Sequence, residues 1–551
     1  MVPRSRVGFG WSLVHASGCE KHRSSRLSPT QGHEKRDFET AALRVKIGNF
    51  GDNSRRGLGN LLNSGALATI LDAGGETSRP TGLSRVDFGF LSISAMKLLT
   101  PFAYSLVAAI AISFAFSGSA SAQGFGQPIA GVEVDATGVL RVKQFDPRVA
   151  QERLLAARNA AGAEVMKRSP LRKVSLNRLE AAVASAIEGG GSASDEMLSM
   201  AGLTRIEYVF FYPESNDIVI AGPAEGFVED PAGRMVGMET GKPIVMLEDM
   251  VTALRAFAPG QKPTNVISVS IDPTQEGLQR LNQVLQAVRG NLRPSDAEEL
   301  ARTLKQNLGL QTVSIRGIPH STNFARVLVE ADYRMKLIGI GLEQLPVPMA
   351  SYVERANPSQ IASNAMERWF FVPNYDGVSV SDDGLAMKLN DRGVKLVGEN
   401  ERVGADGKRA ASGKTNRASA SFCLDFTKKY SMIADRVPVY AEMRNLIDSA
   451  IAAAYIQQQD FYGQASWDMT VFGDESKFAV ETHTAPQQVE TAVNAIWKGN
   501  TLMTPLGGGV NVQPRQALTS ERLVVETDGA TNELKQTVAP TKLAEGQWWW
   551  D

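Results

Sequence analysis

An α+β fold is predicted for this chain, and three observations predict it. Short β-rich runs alternate with helical periods from residue 123 onward, a strand-helix-helix grammar is complete over residues 267 to 309, and a long helical stripe follows Pro438. The expected architecture is an α/β sandwich core, ordered β-α-α-β-β and continued by a β-meander, with an N-terminal α+β module and a C-terminal helical segment. Composition shifts divide the chain into residues 1–95, 96–122, 123–260, 261–400, a linker at 401–418, and 419–551.

Residues 96–122 carry the three parts of an export signal in order. Met96 and Lys97 make a positive end, Phe102 to Phe116 an apolar core, and Ala120-Ser121-Ala122 a small-residue cleavage site. Cleavage after Ala122 predicts a periplasmic or extracellular protein beginning at Gln123. The alternative is a retained membrane anchor, because Leu98 to Phe116 approaches the roughly 20 residues that cross a bilayer. A signal must be N-terminal to work, so residues 1–95 read as a non-native extension or a disordered one. His15, Cys19 and His22 resemble metal ligands, but they fall inside that stretch and carry no functional weight.

In the full chain 58 Lys and Arg face 59 Asp and Glu, a net charge of −1. Residues 1–95 are net basic, so the remainder is acidic and does not fit a nucleic-acid partner. The densest basic run, Lys408, Arg409, Lys414 and Arg417, lies among Gly, Ala and Ser and reads as a solvated linker. After residue 122 the chain keeps Cys423 as its one cysteine, so no disulfide forms within it and stability must come from packing. Phe422, Phe426, Tyr430 and Ile433 recur at helical spacing beside Cys423, which reads as a buried thiol rather than a nucleophile paired with His320 or His483. Two histidines are too few for a His-rich zinc site, and no motif calls for a cofactor.

The elements follow in order. GVEVDATGVLRV reads as a hairpin about Asp135-Ala136-Thr137-Gly138, and helices are expected at Arg148–Ala161 and Ser175–Ile187. Gly189-Gly190-Gly191 lacks the Gly-Lys-Ser/Thr ending of a phosphate loop and reads as a helix stop. TRIEYVFFYP and DIVIAG are strands, and Leu247–Phe257 is a helix. In VISVSI, Ile267, Val269 and Ile271 share a face; Asp272 is the expected cap of a helix whose stripe is Leu278, Leu281, Leu285 and Val288. Ser295 is expected to cap a second helix with Leu300 and Leu304, stopped by Gly309. QTVSIR and ARVLVE supply two further strands.

GIPHSTN, residues 317–323, and VEADYRMK, residues 329–336, bring together a histidine and dense charge. If a catalytic site exists, His320 is its acid or base, with Glu330 or Asp332 orienting it, and Tyr333 and Arg334 beside them as binding residues. The bland alternative is a solvated hairpin followed by an amphipathic helix with ordinary ion pairs. Trp369–Val372, Val378–Val380, Ala386–Leu389 and Val394–Val397 read as a meander. Asp376, Asp382 and Asp383 lack calcium-loop spacing and read as turn residues. Val439, Met443, Leu446, Ile447, Ala450 and Ala454 form one face of the helix opened by Pro438. Val538–Leu543 and the run Trp548-Trp549-Trp550-Asp551 look extended; the tryptophans either wrap the body or offer aromatic surface to a partner.

Three segments, ADYRMKLIGIGLE, RWFFVPNYDGVSVSDDGLAMKLNDRGVKLV and DRVPVYAEMRNLIDSAIAAAYI, resemble a family of secreted bacterial proteins known only as a domain of unknown function. The resemblance covers most of residues 200–480. It implies export and a shared fold, and it transfers no activity, cofactor or site residue. Two function classes are therefore carried forward. One is a non-catalytic exported protein that binds a protein or polymer partner and meets the membrane only through its export signal. The other is an exported carboxylate-dependent hydrolase acting on glycan or peptide.

Overall fold

The computed structural model describes residues 42–46 and 129–551, the latter without 145–151, 153–164, 231–232, 289–292, 359–364, 375–377, 390–392, 404–405, 407–408, 412–415, 495, 499–500, 506–508 and 541–542. The export signal and nearly all of the expected Arg148–Ala161 helix lie outside the described residues. Among the described residues no helix is long and apolar enough to cross a membrane.

The chain is α+β, and two mixed sheets organise it. Across the larger sheet the strands run Arg409–Ala411, Val394–Val403, Ala365–Pro373, Gly509–Val512, Ile267–Asp272, Gln311–Arg316, Gln488–Val489, Val139–Gln144 and Ile129–Val134. Across the smaller they run Val524–Val525, Val378–Val380, Ala386–Leu389, Tyr208–Tyr212, Asp217–Ala224, Ser169–Ser175 and Trp549–Trp550. Each sheet thus takes strands from segments far apart in the chain. The four strands expected as a meander are present, but Ala365–Pro373 pairs with Val394–Val403 in the larger sheet while Val378–Val380 pairs with Ala386–Leu389 in the smaller. Turn signals mark where strands end and do not choose their partners. Residues 42–46, within the stretch read as an extension, form a strand antiparallel to Thr501–Pro505.

The helix-helix grammar after residue 272 is realised with shifted caps. Thr274, not Asp272, caps Gln275–Ala287, its hydroxyl accepting from Gly277 N at 3.0 Å. Asp296, not Ser295, stands before Ala297–Leu308. Leu278, Leu281, Leu285, Leu300, Leu304 and Leu308 bury against one another as a core of their own. Gly189 caps Leu176–Glu188 and Gly190 follows with φ +78°, so the glycine run is a helix stop.

One element reverses its expected type. ARVLVE is not a strand but the first half of a 17-residue helix, Asn323–Gly339, capped by Thr322, whose hydroxyl accepts from Ala325 N at 3.2 Å. Val327, Leu328 and Val329 read alike in a buried strand and in a buried helix, because a helix covered on all sides has no polar stripe to betray its period. This helix is covered on all sides: of its residues only Arg326 is not fully buried. It lies against the Ile267–Asp272 strand and the helices Leu247–Ala256 and Pro438–Gln458, the last buried nearly along its whole length. The local order is therefore β-α-α-β-α. At its end Gly339 admits the ring of Trp369; a Cβ there would fall 2.0 Å from Trp369 Cζ3.

Candidate functional site

The Asn323–Gly339 helix ends in a turn that builds a pocket. Gly341 has φ +79°, its N–H donates to Ile338 O at 3.1 Å, and Leu342 N donates to Leu337 O at 2.8 Å. This paired 5→2 and 6→1 closure satisfies two end carbonyls and sends the chain sideways. The loop that follows is held from outside by cations on its carbonyls. Arg436 donates to Pro346 O at 2.6 Å, Lys429 to Pro348 O at 2.7 Å and Arg355 to Ala350 O at 3.0 Å. A reciprocal capping box closes it: Ser351 N donates to Glu354 Oε2 at 2.6 Å, and Glu354 N to Ser351 Oγ at 3.3 Å.

Between loop and body lies a pocket of about 400 Å³. Ile338, Val347, Met349 and Val353 supply apolar wall; Glu343, Ser351, Glu354 and Asn494 supply polar wall. The polar groups are already engaged. Asn494 Nδ2 donates to Ile340 O at 2.7 Å, and Arg334 donates to Glu343 Oε1 through Nε at 3.1 Å and Nη2 at 2.7 Å.

Glu343 is the outer end of a buried ladder of alternating charge. Arg334 Nη1 reaches Glu330 Oε1 at 3.5 Å, Glu330 Oε2 pairs with Arg234, and Arg234 Nε donates to Glu442 Oε2 at 2.8 Å. Burial favours loss of the Arg334 proton, but Glu343 and Glu330 outweigh it and its pKa is raised. Burial pushes the Glu343 carboxyl above its ordinary range, and Arg334 pulls part of that back. The buried Tyr440 hydroxyl, in the field of Glu343, Arg334 and Glu330, meets no hydrogen-bond partner among the described residues.

The structure does not gather the predicted catalytic residues. Glu330 and Asp332 are two positions apart on a helix and so point to opposite sides. Glu330 faces the two arginines, while Asp332 pairs with Lys336 at 3.2 Å, whose Nζ also donates to Ile271 O at 3.2 Å. His320 is exposed, with Nε2 3.2 Å from Ile315 O. Tyr333 is buried, and Arg334 belongs to the ladder. Cys423 is buried, and burial pushes its thiol up to about 12. Trp548 is buried, while Trp549 and Trp550 pair with Val174 and Lys173 as an edge strand, so this run wraps the body. Asp383 accepts from Ser381 Oγ and Leu385 N, as a turn residue does, and among the described residues no group of three or more His, Cys, Asp or Glu could hold a metal.

A polar cluster that spacing did not reveal sits at the start of the Leu247–Ala256 helix. His483 Nε2 lies 3.1 Å from Glu248 Oε2, with both side chains partly exposed. Asp249 beside it is buried and accepts from Asn323 Nδ2 at 2.9 Å; burial first, then Glu248 and Glu442, raise its pKa well above the usual range. The partners are 235 residues apart, and the acidic first turn, Glu248-Asp249, was the one local signal.

Residues 269–352 match a family model described as Protein of unknown function (DUF1598). The match contains the Asn323–Gly339 helix and most of the pocket loop, with ADYRMKLIGIGLE inside it and the other two resembling segments beyond it. No curated protein and no solved structure matches the chain.

Proposed function

We propose that this chain is an exported, non-catalytic binding protein, and that the pocket under residues 338–354 is where it holds its ligand. The observation that carries this reading is the pocket itself. Its volume, about 400 Å³, lies in the range of small-ligand sites. Its walls are rigidly set by a helix-ending turn, a capping box and three cations on loop carbonyls. Its polar groups are held by neighbours, an arrangement suited to recognition rather than to proton transfer. Export rests on the order of charge, apolar core and small residues in 96–122. In this reading the ligand presents a compact group with an apolar part to the pocket, borne by a small molecule or a polymer side chain.

Ligand-observed NMR with hexanol, hexylammonium and hexanoate tests the pocket. Binding of at least one probe to the wild type is expected, and loss of it in Met349→Trp at unchanged melting temperature. If the wild type binds none of the three, the reading falls. Export is tested by mass spectrometry of fractionated cells: a peptide beginning at Gln123 outside the cytoplasm is expected, and intact peptides spanning Ala122-Gln123 throughout would refute cleavage.

The hydrolase reading keeps one specific support, the His483–Glu248 pair, a partly exposed acid-base couple over a buried Asp249. It moves the acid-base role from His320 to His483. His483→Ala should then abolish hydrolysis of glycan or peptide pools, and unchanged turnover removes this reading.

A further inference from the structure

We infer that the ligand of this pocket carries one positive charge, as an amine or guanidine joined to an aliphatic body. The inference rests on reading the pocket as a ligand site and adds the ligand's class.

The ladder behind the pocket has an odd number of rungs. Glu442, Glu330 and Glu343 stand against Arg234 and Arg334, and all five side chains are less than a tenth exposed. Fully ionised, three carboxylates against two guanidiniums leave one negative charge, and Glu343, whose carboxyl burial raises, is the end at which a proton or a cation completes the set. A buried excess charge is costly unless a counter-charge or proton completes it. Near the inner end Asp249 is buried, and burial first, then Glu248 and Glu442, raise its carboxyl. The outer end opens at Glu343 on the pocket wall. Among the described residues Glu343 Oε2 has one long contact, Arg334 Nε at 3.3 Å, and retains acceptor capacity.

The pocket wall repeats the sign. Among the described residues its lining includes Glu343 and Glu354 and no Lys, Arg or His. The nearby cations spend their hydrogen bonds elsewhere, although Lys498 lies in the field of Glu354. Lys429 and Arg355 reach Asp425 and the outer loop carbonyls, Arg436 reaches Pro346 O, and Lys498 donates to the backbone carbonyls of Glu354 and Ala356 at 2.7 and 2.9 Å. A cationic head against Glu343 and Glu354 would complete the ladder, and an aliphatic body would cover Ile338, Val347, Met349 and Val353. An anionic head would add a second uncompensated charge to a partly desolvated wall.

Isothermal titration of the full chain with hexylammonium, hexanol and hexanoate separates the cases. Hexylammonium is expected to bind about 10-fold or more tighter than either competitor, a difference of ~1.4 kcal/mol. Glu354→Gln, which keeps the capping box, should erase most of that preference while leaving hexanol affinity unchanged. Glu343→Gln should do the same and raise the salt insensitivity of what binding remains. Hexanol or hexanoate binding as tightly as hexylammonium overturns the charge inference and leaves the pocket reading intact. Failure of all three probes to bind overturns both.

Discussion

Arg172 closes on Asp551 through two parallel hydrogen bonds, Nε to Oδ1 at 2.8 Å and Nη2 to Oδ2 at 2.9 Å, across 379 positions of sequence. The same guanidinium donates to Val165 O and Ala201 O and lies 4.4 Å from the centre of the Trp549 ring. This anchor explains why the tryptophan run lies on the sheet edge. Asp551→Ala should destabilise the fold by about 1–2 kcal/mol in chemical denaturation, since a fully buried guanidinium loses its counter-charge. Partial burial pushes the Asp551 carboxyl up, but Arg172 outweighs it and the folded pKa lies below the ordinary Asp value. The contribution is therefore complete above pH ~4 and is lost as pH falls through the depressed folded pKa. A mutant-to-wild-type difference that persists undiminished at pH 2 would contradict this account.

Glu330 joins two buried arginines, so its removal takes one partner from each and leaves Arg234 to Glu442 and Arg334 to Glu343. Glu330→Ala should cost roughly 3–5 kcal/mol by urea denaturation, because two buried guanidiniums lose a carboxylate they share. A loss below ~1 kcal/mol in this variant would show that the ladder is hydrated rather than buried.

Glu367 is pushed up to about 7 by burial, with Asn416 and Ser419 offsetting part of the effect. The unfolded carboxyl titrates near ~4.3, so this group's contribution to stability is fully present below that value and is lost as pH rises through about 7. Glu367→Gln should flatten the melting-temperature profile between pH 5 and pH 8 and stabilise the protein at the upper end by a few kcal/mol at most (~2–4). A wild-type profile rising over that interval, with the variant parallel to it, would refute the assignment.

Cys423 should be inert in the folded protein. Its thiol is buried and its pKa raised to about 12, leaving almost no thiolate at pH 8. Labelling with a thiol reagent should be slow in buffer and complete in denaturant, and the labelling rate in buffer should follow the opening equilibrium. Rapid native labelling would restore Cys423 as a nucleophile.

Much of the secondary structure was legible locally. Leu278, Leu281 and Leu285 at helical spacing, the Asp-Ala-Thr-Gly turn, and Pro438 before a long apolar period each report a short-range physical preference. The first half of the helix at Asn323 was not legible, because its covered surface removes the polar stripe by which helices are recognised. Its cap, Thr322, lay in a stretch whose Gly, Pro and Ser argued for loop. The dense charge of VEADYRMK was visible and an ion-pair network on a helix was one reading of it; what was not visible is that the network is buried. On a helix surface Glu330, Asp332, Arg334 and Lys336 would pair among themselves at i,i+4, and two of these pairs do form.

The sequence by itself determined composition class, element boundaries to within a residue or two over much of the chain, and the burial of Cys423, because each rests on propensity, capping or periodicity within one stretch. Only the tertiary structure decided which strands share a sheet, that the tryptophan run packs on its own chain, and that Arg234 answers to Glu330 and Glu442, 96 and 208 positions away. Such pairings follow from how sheets and helices stack, and no local pattern encodes which distant charge will be buried against which.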